Sequence, residues 1–190
     1  MIEQIQCDLV QAEVVTEVGH IAPVRFRLDV SGTTVAQPYS LPTWTPEECT
    51  VDIPAIRWLR GEFFGFPFGV TGGVEHVHGA AANGPWDLTA KRDDRLTLSI
   101  DLGDLGGTLE KQVSLRPGHR VLYNQHTITG VEGRFNYGHH QSSIFPKANM
   151  RFSTSGPLKG VRKFRSPLKM AVVLKHLSIG NGCWSTMHDE

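Results

Sequence analysis

Three short segments of this 190-residue chain concentrate side chains able to move protons or grip a polar ligand. The first, Leu59-Arg60-Gly61-Glu62-Phe63-Phe64-Gly65-Phe66-Pro67-Phe68-Gly69, sets three glycines and four phenylalanines beside one arginine. Aromatic faces suit the C–H patches of a sugar ring, and a guanidinium offers hydroxyls a rigid fork of donors. The same phenylalanines would serve a core equally well. The second runs from Glu75 to Asp87 and holds His76 and His78 two residues apart. On a strand both would point to one face, a spacing that can chelate a metal ion. Small residues from Gly79 to Gly84 let a backbone approach a ligand, and Asn83 brings two donors and an acceptor. The third runs from Phe135 to Pro146 and contains the adjacent pair His139-His140. Neighbouring side chains on a strand face opposite ways, so only one imidazole can enter a given pocket. A neutral imidazole near its ordinary pKa donates or takes a proton at neutral pH, although a histidine in a polar loop often does neither.

The rest of the chain must position these groups. Lys plus Arg (19) balance Asp plus Glu (19), with 39% hydrophobic and 20% charged residues. That is too apolar and too balanced for a disordered chain, and it argues against a nucleic-acid partner held by bulk charge. The longest apolar run, Met170 to Leu174, is too short for a membrane span. Glu3 and Asp8 occupy the region where a signal peptide needs basic and then apolar residues. A soluble cytoplasmic protein is the expectation. Cys7, Cys49 and Cys183 are odd in number and form no CxxC pair, which predicts reduced thiols rather than disulfides or a cysteine-rich zinc site. The balanced charge hides an asymmetry: residues 156–190 carry a net of +4 and residues 1–155 a net of −4. The composition therefore divides at Ser155, into a body of residues 1–155 and a basic tail of residues 156–190 read as solvated or disordered.

The body reads as all-β. Glu13 to Val18 is a β-branched run. After a turn at Gly19, Ile21 to Val30 alternates Val24, Phe26, Leu28 and Val30 against Arg25, Arg27 and Asp29. Leu96 to Leu102, Thr108 to Leu115 (with Leu109, Val113 and Leu115) and Arg120 to Thr129 (with Val121, Tyr123 and Ile128) repeat the scheme between Gly or Pro turns. Short strands at such spacing predict an antiparallel sandwich or barrel. Ile53 to Leu59 reads as a short helix with Asp52 as N-cap and Pro54 in its first turn. In the tail, Met170 to Leu177 reads equally as a helix turn or a strand. No Gly-rich phosphate loop joins a strand to a helix, so no nucleotide cofactor is expected.

Taken in order, these segments resemble the galactose mutarotase-like proteins, the group of the aldose 1-epimerases. Gly19-His20-Ile21-Ala22-Pro23-Val24-Arg25-Phe26 is similar to their N-terminal strand pair, and Pro38-Tyr39-Ser40-Leu41-Pro42-Thr43-Trp44 to the loop that follows. Arg60 to Gly69 resembles the arginine segment, His78-Gly79 through Trp86 the His-Gly element, and Gly138-His139-His140 through Phe145-Pro146 the second histidine segment. The likeness covers about residues 5–155. It implies an antiparallel β-supersandwich that binds a monosaccharide in an open cleft and interconverts its anomers by acid/base ring opening. In that group a histidine protonates the ring oxygen while a glutamate takes the anomeric hydroxyl proton. By position His140 is the general acid, with His139 as second choice, and Arg60, His78, Asn83 and His139 would contact the sugar. The resemblance implies neither metal nor other cofactor.

The group's glutamate lies late in a longer chain, whereas after Glu132 this sequence has only Asp189 and Glu190. The sandwich therefore reads as incomplete at its C-terminus. Either this is a short relative that binds sugar without catalysis, or the reading frame is broken near Ser155. A sandwich lacking its last strands would expose edges and self-associate. The remaining alternative is a metal-dependent cupin using His76, His78 and either His139 or His140. Cupins carry a glutamate shortly after the His-x-His pair, and Ala81 and Ala82 stand there instead.

Overall fold

A computed structural model describes residues 1–29, 31–69 and 76–144, together with the backbone of residues 171–179. Two sheets pack face to face. The first has the order β1-β2-β3-β5-β10, with β4 also on β3. Its strands are β1 (Ile2–Gln6), β2 (Val10–Val15), β3 (His20–Arg27), β4 (Val35–Ala36), β5 (Glu62–Gly65) and β10 (Gly138–Gln141). The second has the order β11-β9-β8-β7-β6, from β6 (Asp87–Arg92), β7 (Arg95–Asp101), β8 (Thr108–Ser114), β9 (Val121–Thr129) and β11 (Ala171–Ile179). All pairings are antiparallel except β11 on β9, which is parallel. The protein is thus all-β in its described part, as the alternating segments predict. No helix among the described residues is long and apolar enough to cross a membrane.

Strict alternation explains the second sheet. β7, β8 and β9 bury every second residue, which puts Leu96, Leu98, Ile100, Leu109, Val113, Leu122 and Ile128 against Ile5, Ala12, Val14, Ile21, Val24, Phe26 and Phe64 of the first. Burying one such leucine or phenylalanine side chain contributes about 1.5–3 kcal/mol, so this shared core is the main force joining the sheets. The pattern in β9 differs from the expected one. Val121 and Tyr123 lie on the half-exposed face, and the buried positions are Leu122, Asn124, His126 and Ile128.

Other differences are local. β2 ends at Val15, earlier than the β-branched run suggested, because the Gly19 N–H turns back to the Val15 carbonyl. The expected helix exists but is short: α1 (Pro54–Arg57) has Ile53 at its N-cap without a side-chain bond, and Asp52 instead pairs with Arg57. A second short helix, α2 (Gly79–Asn83), falls in the small-residue stretch. Within the tail, Ala171–Ile179 forms a strand, one of the two forms expected for Met170 to Leu177. Val30, Glu75, Phe145, Pro146, Ser155, Met170, Cys183, and the remainder of the tail fall outside the described residues. Cys7 and Cys49 are free thiols.

Candidate functional site

The pairing of β5 with β10 organises the site. His140 lies opposite Phe63, His139 opposite Phe64 and Gln141 opposite Glu62. Directly opposed residues in an antiparallel pair share a face. Phe63 and His140 therefore point away from the second sheet, and Glu62, Phe64 and His139 point toward it. Gly61, just before β5, permits this close arrangement. Its φ is +47°, and a Cβ there would lie 2.0 Å from the Ile21 carbonyl oxygen.

On the outer face Phe63 is stacked between two imidazoles. His20 covers one side at 4.4 Å between ring centres, and His140 the other at 4.8 Å. His78 stands edge-on to both, 5.5 Å from Phe63 and 5.9 Å from His140, with Phe68 packed on it at 4.5 Å. His20 is fully buried, His78 half-buried and His140 exposed. Burial holds the His20 ring neutral, with its pKa lowered to about 3. A ligand arriving from solvent can therefore meet only His78 and His140 of the three.

His78 occupies a special backbone position. It precedes α2 with φ +71°, the one non-glycine residue in the left-handed region among the described residues. That conformation costs a residue with a side chain about 1–2 kcal/mol and is recurrent at functional positions. Local hydrogen bonds enforce it. The His78 carbonyl accepts from the Phe66 N–H, its own N–H reaches the Gly69 carbonyl, and the Gly69 N–H donates to Nδ1 at 3.0 Å. Because an amide can only donate, Nδ1 must be unprotonated, and the neutral ring carries its hydrogen on Nε2. Burial, and then the neighbouring His140, lower the His78 pKa and favour this neutral form.

That tautomer contradicts the metal reading. A metal at Nε2 would need the ring hydrogen on Nδ1, against the Gly69 N–H. His76 and His78 also lie in a bend and turn rather than on a strand. No group of three His, Cys, Asp or Glu side chains is placed to hold a metal ion among the described residues.

The other expected ligand-binding residues lie apart from this pair. Arg60 is half-buried, donates from Nε to the Trp58 carbonyl and lies 5.9 Å above the Trp58 ring. Its contacts do not include either imidazole. Asn83 is buried, and its amide is fully engaged with backbone: Oδ1 accepts from the Ala55 N–H, and Nδ2 donates to the Val77 and Gly79 carbonyls. It ties α1 to the loop carrying His78. It also lines a groove of about 320 Å³ between α2 and the Gly103–Leu105 turn, whose walls include neither His78 nor His140.

Beneath the sheet lies a polar cluster that sequence reasoning did not assign. The buried Glu62 carboxylate accepts from His139 Nδ1 and, at 2.9 Å, from Asn124 Nδ2. Burial alone would raise the Glu62 pKa, but the Lys111 ammonium and His139 outweigh it and leave the acid below its ordinary value. Lys111 is itself enclosed, and its Nζ donates to the Gly19 carbonyl at 2.6 Å. His126 stacks on Phe64 at 4.0 Å, and burial holds its pKa well below the ordinary imidazole value. The signal for this cluster was in the alternation itself: Lys111, Asn124 and His126 are polar residues at inward parity. With these geometries in hand, comparison with known proteins gives no guide, since no family model, curated protein or solved structure matches the chain.

Proposed function

We propose that the chain is an aldose 1-epimerase-like protein on a galactose mutarotase-like supersandwich. It binds a monosaccharide at the His78–His140 face and interconverts its anomers. The observation that carries this reading is the pair of accessible imidazoles 5.9 Å apart, one fixed as a neutral Nε2–H donor and the other without a hydrogen-bond partner among the described residues. His78 donates to a sugar oxygen and holds the ring. His140, as general acid, gives a proton to the ring oxygen while water takes the proton of the anomeric hydroxyl. The C1–O5 bond breaks, C1=O1 forms, the aldehyde rotates, and the reverse steps close the ring as the other anomer. Phe68 supplies an apolar wall beside His78. No cofactor takes part in these steps.

A second reading, carbohydrate binding without turnover, draws support from one feature. No carboxylate contacts either imidazole among the described residues, so the outer face lacks the paired base that ring opening favours. Exchange spectroscopy on α- and β-glucose and galactose separates the two. Faster anomer exchange with protein present supports the epimerase. Sugar-induced shifts of the His78 and His140 resonances without faster exchange support binding alone, and neither effect ends both readings. The outward edges of β6 and β10, unpaired among the described strands, support self-association, which light scattering tests; a monomer at high concentration counts against it.

A further inference from the structure

The Glu62 cluster lies directly beneath the His140 face and takes no part in the proton transfer above. Through one fully buried carboxylate, it joins three strands: β5, which carries Glu62, β10, which donates through His139, and β9, which donates through Asn124. β10 has four residues and, among the described strands, pairs only with β5; backbone bonds of Ser142 to Gly61 and of Asn136 to Phe68 tie the chain on either side of it, and the Glu62 carboxylate adds a side-chain tie within the strand itself. Its register sets the site. His140 follows His139 and lies opposite Phe63, which follows Glu62, so a bond below the sheet fixes a ring pair above it. The His140 imidazole makes no hydrogen bond among the described residues; its orientation rests on Phe63, to which it lies within 5° of parallel.

We propose that Glu62 is a positioning residue for His140: through its bond to His139 it holds β10 in the register that lays the His140 ring flat on Phe63. The catalytic consequence rests on the sugar reading above, while the positional claim stands without it. The bond requires a hydrogen on Nδ1 of His139, and the carboxylate is held from the opposite sheet by the Asn124 amide and favoured by the Lys111 charge. His139 thus contributes from beneath the sheet, with its side chain 17% exposed, rather than as a sugar ligand on the outer face.

NMR of the imidazole protons tests this in the wild type, His139→Phe and His139→Gln. Phenylalanine keeps a ring against Phe64 and His126 but brings no donor; glutamine offers an N–H to the carboxylate and no ring. Protons above an aromatic face are shielded, so the wild-type His140 ring resonances should lie upfield. That displacement should be lost in His139→Phe and regained in His139→Gln, with anomer exchange falling and recovering in kcat rather than KM. Displacement that survives in His139→Phe, or is lost equally in both variants, overturns the proposal. The wild type alone gives a further check: nitrogen spectra must show His139 protonated at Nδ1, and a neutral Nε2–H tautomer overturns it without any variant. If the displacement behaves as expected but the wild type accelerates no anomer exchange, the sugar reading fails and the positioning stands.

Discussion

The imidazole of His140 lies 4.8 Å from the ring of Phe63 and within 5° of parallel to it. Because His20 covers the opposite face of the same ring, Phe63 is a spacer between a histidine sealed from water and one open to it. Stacking of this kind restricts the exposed ring without occupying its nitrogens, which is what a proton-transfer group meeting a ligand from solvent requires. Separate consequences follow for the residues around that pair.

The strained backbone at His78 allows its two roles to be separated. His78→Gly relieves the left-handed conformation while removing the ring, so folding stability should stay within about 1 kcal/mol of wild type. Sugar affinity should fall roughly tenfold, the equivalent of one lost hydrogen bond of about 1.4 kcal/mol. His78→Val, β-branched at a positive φ, should instead destabilise the fold by about 2 kcal/mol or more. Denaturant unfolding and sugar titration measure both, and undiminished affinity in His78→Gly removes His78 from the site.

Acid should weaken the fold well above the carboxylate range. His20 and His126 are held neutral by burial, the former with a pKa of about 3, while in the unfolded chain each takes a proton near pH 6.5. The unfolded state therefore binds more protons below pH 6.5. Stability is full above that pH and falls by up to about 1.4 kcal/mol per pH unit per histidine as pH drops toward the folded pKa. Urea midpoints at pH 7.5 and 5.5 should differ accordingly, and equal midpoints contradict the burial of these rings.

Asn83 should behave as a brace. Asn83→Ala removes three side-chain bonds to backbone groups, two of them buried, a loss of about 2–4 kcal/mol. Whatever sugar affinity the folded variant retains should match wild type. A variant of normal stability with lost affinity would return Asn83 to the sugar.

Glu62 and Lys111 should couple strongly. Lys111→Met removes the charge that favours the buried carboxylate and should cost at least about 1 kcal/mol. Adding Glu62→Gln removes the carboxylate charge, so the double variant should be more stable than the sum of the single effects by at least about 1 kcal/mol. Additive effects in thermal or urea unfolding would show that the two charges do not interact.

Much of the sheet structure was readable because alternation is a two-residue signal. Leu96 to Leu102 and Thr108 to Leu115 fall within a residue of β7 and β8. β1 and β6 escaped for opposite reasons. β1 interleaves Ile2 and Ile5 with polar residues at unequal spacing, and β6 is exposed at every position, leaving no apolar face to detect. At the site, strand parity predicts that His139 and His140 face opposite ways, as they do on β10. Nothing local revealed that Asn83 would turn to the backbone, or that Glu62 would meet Asn124 across 62 positions of sequence, since such contacts exist only once two sheets close on each other.

Proton transfer by His140 is the central step of the proposed reaction. The most direct measurement is the rate of anomer exchange of glucose and galactose by NMR at pH 7, with wild type, His140→Ala and His140→Gln. Wild type should accelerate exchange, and both variants should lose at least about tenfold of it, the low end of what general acid catalysis by a positioned side chain supplies, while still binding sugar through His78. Exchange accelerated equally by wild type and His140→Ala would contradict the account.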